Sequence, residues 1–168
     1  MNRREFFKKL PHMSREILKN QEEKTVIRPP YFDYSKADIC KNCEGYCIEA
    51  CEEKIIFKEE NGIPFIKFEK SGCTFCQKCS ENCPYNVINM EKYPDEKLNV
   101  KIFIDKSRCF AWEKIICNSC SDICIYSAVE FKGLFNPEIL DHKCTGCGFC
   151  VVKCPATAIK IKPAEVKN

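Results

Sequence analysis

Short apolar runs alternate along the chain with polar, cysteine-bearing loops. Ile55-Ile56-Phe57 and Pro64-Phe65-Ile66-Lys67-Phe68 flank a polar stretch, Glu59-Glu60-Asn61-Gly62. An Asn-Gly turn between two such runs predicts a β-hairpin. Asn86-Val87-Ile88-Asn89-Met90 follows as a closing strand. Beyond it, Val100-Lys101-Ile102-Phe103-Ile104 and Ala128-Val129-Glu130-Phe131 predict two more strands, with a break at Gly133 and Asn136-Pro137, and Ala158-Ile159-Lys160-Ile161 predicts the last. Both halves read strand, cysteine loop with a short helix, hairpin, cysteine loop with a short helix, strand. This is an internal duplication of a unit of about 65 residues.

What stands between the apolar runs is cysteine, sixteen of them in 168 residues. Cys144, Cys147, Cys150 and Cys154 form C-x2-C-x2-C-x3-C followed by Pro155, the bacterial ferredoxin run for a cubane iron–sulfur cluster. Gly146 and Gly148 let that loop curl close to inorganic sulfide. Cys73, Cys76, Cys79 and Cys83, followed by Pro84, repeat it. Two looser quartets, Cys40/Cys43/Cys47/Cys51 and Cys109/Cys117/Cys120/Cys124, account for the rest and carry Glu52 and Ile125 where the proline would stand. The expected fold is therefore α+β: tandem duplicated bacterial-type two-cluster [4Fe–4S] ferredoxin-like domains behind an N-terminal basic arm. Residues 1–30 form the arm and a Pro-rich linker, 31–93 the unit with quartets one and two, and 99–163 the unit with quartets three and four; residues 92–98 join them.

In two-cluster ferredoxins the fourth cysteine of a run ligates the other cluster. That crossing assigns Cys40, Cys43, Cys47 and Cys83 to the first cluster and Cys73, Cys76, Cys79 and Cys51 to the second. It assigns Cys109, Cys117, Cys120 and Cys154 to the third, and Cys144, Cys147, Cys150 and Cys124 to the fourth. A pairing of quartet one with four and two with three stays open. So does a protein with three clusters, because seven residues separate Cys109 from Cys117. Clusters ligated by four cysteines leave no open iron position, which points to electron carriage or structural support. Neither a phosphate-binding glycine loop nor a Ser/His/Asp arrangement occurs, so the chain is expected not to be an enzyme. His12 and His142 lie outside the quartets and read as surface residues. Trp112 reads equally as a cover for the third cluster or as loop packing. Phe75, Phe149 and Tyr85 beside cysteines are expected to shield clusters from water.

Composition narrows the setting. Met1 to Lys24 contains no apolar run long enough for a signal peptide, and no stretch approaches a membrane span. The expected location is the cytoplasm, where clustered cysteines are metal ligands more often than disulfides. Zinc closes its shell with two pairs and has no use for four cysteines in eleven residues. The formal charge of +3 falls to roughly −5 once sixteen thiolates hold four oxidised cores. A nucleic-acid role thereby loses its electrostatic basis. The arm (Arg3, Arg4, Lys8, Lys9, Arg15, Lys19, Lys24 and Arg28 among Phe6, Phe7, Leu10, Ile17 and Leu18) reads as a docking element or a frayed end. Asn2-Arg3-Arg4-Glu5-Phe6-Phe7-Lys8 opens like a twin-arginine export signal, but Lys9, Pro11 and Ser14-Arg15-Glu16 replace the apolar core it needs. Ile27-Arg28-Pro29-Pro30-Tyr31 reads as a stiff extended segment.

Taken together, these residues resemble the NapF-like ferredoxin-type proteins associated with periplasmic nitrate reductase. The likeness rests on the arginine pair near the start, the Arg28-Pro29-Pro30 segment and the four quartets in order. It also rests on Gly62-Ile63-Pro64, Cys73-Thr74-Phe75-Cys76, the long loop after Cys109, and Cys144-Thr145-Gly146-Cys147-Gly148. The resemblance implies a cytoplasmic accessory protein, with four [4Fe–4S] clusters as cofactors, that contacts the molybdenum-containing catalytic subunit of that reductase before export. Maturation of that subunit and electron delivery to it are both compatible. An alternative is a polyferredoxin shuttling electrons toward a membrane quinol pathway, with membrane-bound redox proteins as partners.

Overall fold

The computed structural model describes residues 26–164. The basic arm as far as residue 25, with His12 and the twin-arginine-like stretch, lies outside the described residues. In chain order the elements are a 3-10 segment (Tyr34–Asn42), α1 (Tyr46–Glu49), β1 (Ile56–Lys58), β2 (Pro64–Ile66) and α2 (Lys78–Glu81). Then come β3 (Val100–Ile104), α3 (Ser119–Asp122), β4 (Val129–Lys132), β5 (Phe135–Ile139), α4 (Phe149–Lys153) and β6 (Ile159–Pro163). Each helix is a single turn, far too short to be stable alone, and must be held by what surrounds it.

The first hairpin is β1 against β2, antiparallel, with Ile56 opposite Ile66 and Phe57 opposite Phe65. Ile56 and Ile66 are buried on one face, while the Phe57 and Phe65 rings meet on the other at 5.8 Å. Its connection is wider than a two-residue Asn-Gly turn. Glu59 N–H donates to Ile63 O (3.0 Å) and Gly62 N–H back to Glu59 O (2.9 Å). The second hairpin pairs β4 with β5 around Gly133. Here the expected break at Asn136-Pro137 is instead part of β5: Asn136 adopts a left-handed φ of 59°, and the register shifts between Phe131 and Lys132. A bulge absorbs the extra residue, so the proline sits in a strand without breaking it.

The outer strands differ between halves. In the second half β3 and β6 form a five-residue antiparallel ladder, with Ile102 opposite Ile161 and Ile104 opposite Ile159. The corresponding place in the first half holds one bridge, Phe32 opposite Ile88. The extended segment expected through Tyr31 ends in a turn, because Tyr31 takes φ 64° directly after Pro30; proline followed by a left-handed residue is the type II turn signature. Upstream of it, Ile27 O accepts from Ile66 N–H (2.7 Å), which extends the first hairpin by one contact.

Residues 92–98 are tied down at both ends. Lys92 Nζ donates to Asp33 Oδ2 at 2.7 Å, and Leu98 is 1% exposed with its N–H on Thr145 O (2.9 Å). Burying that leucine contributes about 1.5–3 kcal/mol. The halves also meet where Cys73 N–H donates to Cys147 O at 2.7 Å. Gly72 permits the approach: a Cβ there would stand 2.6 Å from Cys147 O and 2.7 Å from Phe149 N.

Candidate metal centres

The third cysteine of every quartet, Cys47, Cys79, Cys120 and Cys150, sits in one of the single-turn helices, and all four are buried. Three of these helices start from a left-handed residue, Gly45, Gln77 or Gly148. At Gly148 a side chain is forbidden twice over, by φ +85° and by the Phe68 ring 2.5 Å from where its Cβ would be.

The fourth cysteine of every quartet opens a second repeated turn. Lys54, Asn86, Ser127 and Thr157 each stand three residues beyond it, with φ of 52°, 51°, 48° and 48°. Each donates its N–H to that cysteine's carbonyl, at 3.2, 3.1, 3.0 and 3.1 Å respectively. A left-handed non-glycine residue costs about 1–2 kcal/mol, so four at equivalent positions reflect one imposed loop shape. Ala128 and Ala158 then donate N–H to the sulfurs of Cys124 and Cys154, both at 3.3 Å, and Ile88 N–H lies 3.5 Å from the Cys83 sulfur. Such N–H groups stabilise a thiolate once it carries charge.

These turns throw the fourth cysteine across its half. Cys83 lies beside Cys40, Cys43 and Cys47 around one cavity, whose walls include Val87, Ile88 and Pro64. Cys51 joins Cys73, Cys76 and Cys79 around a second, walled by Ile55, Ile56, Ile66 and Phe75. Cys154 joins Cys109, Cys117 and Cys120 around a third, walled by Ile104, Pro137 and Ile159. Burial first, and then neighbouring thiols that include Cys147 and Cys124, pushes the Cys144 and Cys150 thiols up. All sixteen cysteines are free thiols.

The electrostatics of these groups fit a positively charged core. Burial first, then the neighbouring cysteines Cys83, Cys40 and Cys43, pushes the Cys47 thiol up to about 12. Burial does the same for Cys73 and Cys79, also to about 12, and takes Cys120 to about 11. Four thiolates crowded into an apolar cavity repel one another and lack water, so a cationic centre is what makes the charged forms favourable there. Among the described residues no three His, Cys, Asp or Glu side chains are arranged to hold a single metal ion. Three of the four sets surround a cavity, as a multi-atom cluster requires.

Other residues sort clearly. Trp112 braces the long quartet-three loop, donating from Nε1 to Pro137 O (3.2 Å) under Lys106, whose Nζ is 4.1 Å from the ring centroid. Arg28 does the matching work in the first half, donating from Nη1 to Pro64 O at 2.9 Å. Phe75 is buried on the second cavity, and Phe149 packs on Gly72. Tyr85 lines the first cavity but is half exposed, a weaker shield than expected. His142 is exposed. Sequence reasoning missed a pair of Asp-x-Ser turns. Asp33 Oδ1 accepts from Ser35 N (3.1 Å) and Oγ (2.6 Å), and Asp105 Oδ1 from Ser107 N (3.1 Å) and Oγ (2.7 Å). Both turns precede the first cysteine of a half, and their spacing was the available signal.

Twelve thiols gathered in fours around three apolar cavities, with a fourth group of Cys144, Cys147, Cys150 and Cys124 close enough to interact, define a ferredoxin-type iron–sulfur protein that binds multiple [4Fe–4S] clusters. A 4Fe-4S dicluster domain matches residues 72–128, across quartets two and three, and a 4Fe-4S binding domain matches 137–160, across quartet four. The chain is 30% identical to ferredoxin-type protein NapF of Escherichia coli strain K12, over 79% of this chain and 82% of that one. It is 33% identical to ferredoxin-type protein NapF of Haemophilus influenzae, over 83% and 81%. The chain belongs to the NapF ferredoxin-type family. It is also 28% identical to methylamine utilization ferredoxin-type protein MauM of Methylobacillus flagellatus, over 84% and 70%. Among the described residues no helix is long and apolar enough to cross a membrane.

Proposed function

We propose that the chain is a tandem pair of two-cluster ferredoxin units carrying four [4Fe–4S] clusters, with the ligand sets Cys40/Cys43/Cys47/Cys83, Cys73/Cys76/Cys79/Cys51, Cys109/Cys117/Cys120/Cys154 and Cys144/Cys147/Cys150/Cys124. The carrying observation is the grouping of three cysteines from one quartet with the fourth from its neighbour, met in both halves. Its working role is that of an accessory protein, not an enzyme: it acts in the cytoplasm on the molybdenum-containing catalytic subunit of a periplasmic nitrate reductase before export, maturing it or delivering electrons to it. Membership of the NapF family supports this partner. Exposed Phe110, Ile115 and Ile116, beside Cys109 and Cys117, support a docking face next to the third cluster.

A second reading is an electron shuttle toward a membrane quinol pathway, supported by clusters ligated by four cysteines each, which leave no open iron position and suit electron carriage. Deleting the protein from its host separates the two. Accessory action predicts a catalytic subunit that accumulates inside the cell short of its own cluster or in the wrong redox state. A fully loaded, exported subunit that merely turns over slowly favours the shuttle.

A further inference from the structure

Two independent ferredoxin units on one chain need only a linker between them, yet these halves touch through their cluster loops. The contact is made by ligands: Cys73 N–H donates to Cys147 O at 2.7 Å. Cys73 belongs to the second cluster set and Cys147 to the fourth. Around this bond the packing is closed. Gly72 lies against Cys147 O and Phe149, Gly148 against the Phe68 ring, and Gly146 against Val100 and Leu98. Leu98, from the joining segment, is fastened to Thr145 in the same loop. Buried Tyr31 stands close enough to Cys73 and Cys79 on one side, and to Tyr126 on the other, to feel their charges. Tyr126 in turn senses both Cys147 and Cys73.

We propose that this junction makes the molecule one continuous electron relay, running from the Cys40 set through the Cys73 set and the Cys144 set to the Cys109 set, with the Cys73–Cys147 hydrogen bond as the inter-half step. The proposal rests on the four-cluster reading above. Within each half the step is built in by the exchanged fourth cysteines; between halves this hydrogen bond replaces a shared ligand. Each transfer moves one electron from a reduced cluster, which returns to its oxidised level, to an oxidised neighbour, which becomes reduced. No bond breaks and no proton need move. The electron enters at one outer set from a one-electron redox protein and leaves at the other to a second redox protein. Such an order makes the two outer sets the ends of the relay and the two inner sets its link.

The test is electron paramagnetic resonance on the full chain, reconstituted anaerobically with iron and sulfide and fully reduced. Iron is counted first: fewer than about four irons per quartet would refute the four-cluster reading, not the junction. A Cys43→Ala/Cys117→Ala double variant disables the outer sets and leaves the Cys73 and Cys144 sets. Its spectrum should show two clusters split by mutual spin coupling. Two magnetically isolated clusters would overturn the relay. Adding Gly72→Val, which drives a side chain into Cys147 O, should abolish the splitting while the remaining iron is retained; an unchanged splitting would also overturn it. Gly133→Asn is the control, because a Cβ at Gly133 meets nothing within 4 Å, and it should leave the spectrum as it was. If Gly72→Val loses its iron, the double variant alone decides.

Discussion

The first and second halves share a plan and close it by different means. In the second half β3 and β6 zip over five residues and bury Ile102 and Ile159. In the first, the same place holds one bridge between Phe32 and Ile88, and the closure is completed by single contacts. Arg28 reaches Pro64 O, and Ile27 O takes Ile66 N–H. Asp33, buried beneath Lys92, caps the 3-10 segment. A five-residue backbone ladder is cooperative and holds without metal more readily than one bridge and scattered single contacts do. The first half should therefore depend more on its clusters than the second.

The largest effect that sharpens this contrast is metal removal. Stripping iron with a chelator under anaerobic conditions should unfold the first half completely, with residual amide protection confined to β3 and β6. Hydrogen exchange that finds equal protection over residues 31–90 would break the comparison. Next come buried isoleucines, each costing about 2–5 kcal/mol when cut to alanine. Ile88→Ala should also loosen the first cluster, since Ile88 walls the Cys40 cavity. Ile102→Ala should lower stability by a similar amount and leave the iron of the Cys109 set in place, because that cavity is walled by Ile104 and Ile159 instead. Urea titration with parallel iron analysis reads both.

Acid separates the halves more gently. Hydrogen bonds from Lys92 and then Ser35 hold the Asp33 carboxyl well below the usual carboxylate range, whereas Asp105 is lowered chiefly by Ser107 alone. A depressed folded pKa gives stability that is present above the unfolded value of 3.8 and is lost as pH falls through the folded one. Asp33→Asn should therefore destabilise the protein at neutral pH and flatten its pH dependence below about 4. Asp105→Asn should do the same to a smaller degree. Melting curves at neutral and acid pH measure the difference.

The smallest effect concerns the repeated left-handed turns. Lys54→Gly and Thr157→Gly relieve strain at equivalent positions and should raise stability by less than about 1 kcal/mol each. Unequal responses would mean the two loops are not equivalent.

Much of this was legible in the residues. The quartets, the hairpin of residues 55–68 and the strands at 100–104 and 158–161 follow from spacing and alternation alone. So does the exchange of fourth cysteines, as an expectation, from the duplication. What escaped has physical causes. The lost outer ladder of the first half depends on Tyr31 turning left-handed after Pro30, which local sequence permits but does not demand. The left-handed turns fall on Lys54, Asn86, Ser127 and Thr157, four different residue types, so residue identity does not mark them and only their place three residues after a fourth cysteine does. Leu98 looked like part of a polar linker because its burial comes from a loop some fifty residues away in sequence, at Thr145. Nothing in the local sequence marks Gly72, because the carbonyl packed against it, Cys147 O, belongs to the other half.

Iron and acid-labile sulfide per chain, counted on anaerobically reconstituted protein together with its spectrum after reduction, test the central assignment most directly. About four irons and four sulfides per quartet, with paramagnetic signals on reduction and no zinc, is the result expected. Stoichiometric zinc with a silent spectrum, or thiols joined pairwise as disulfides in the cell, would contradict it.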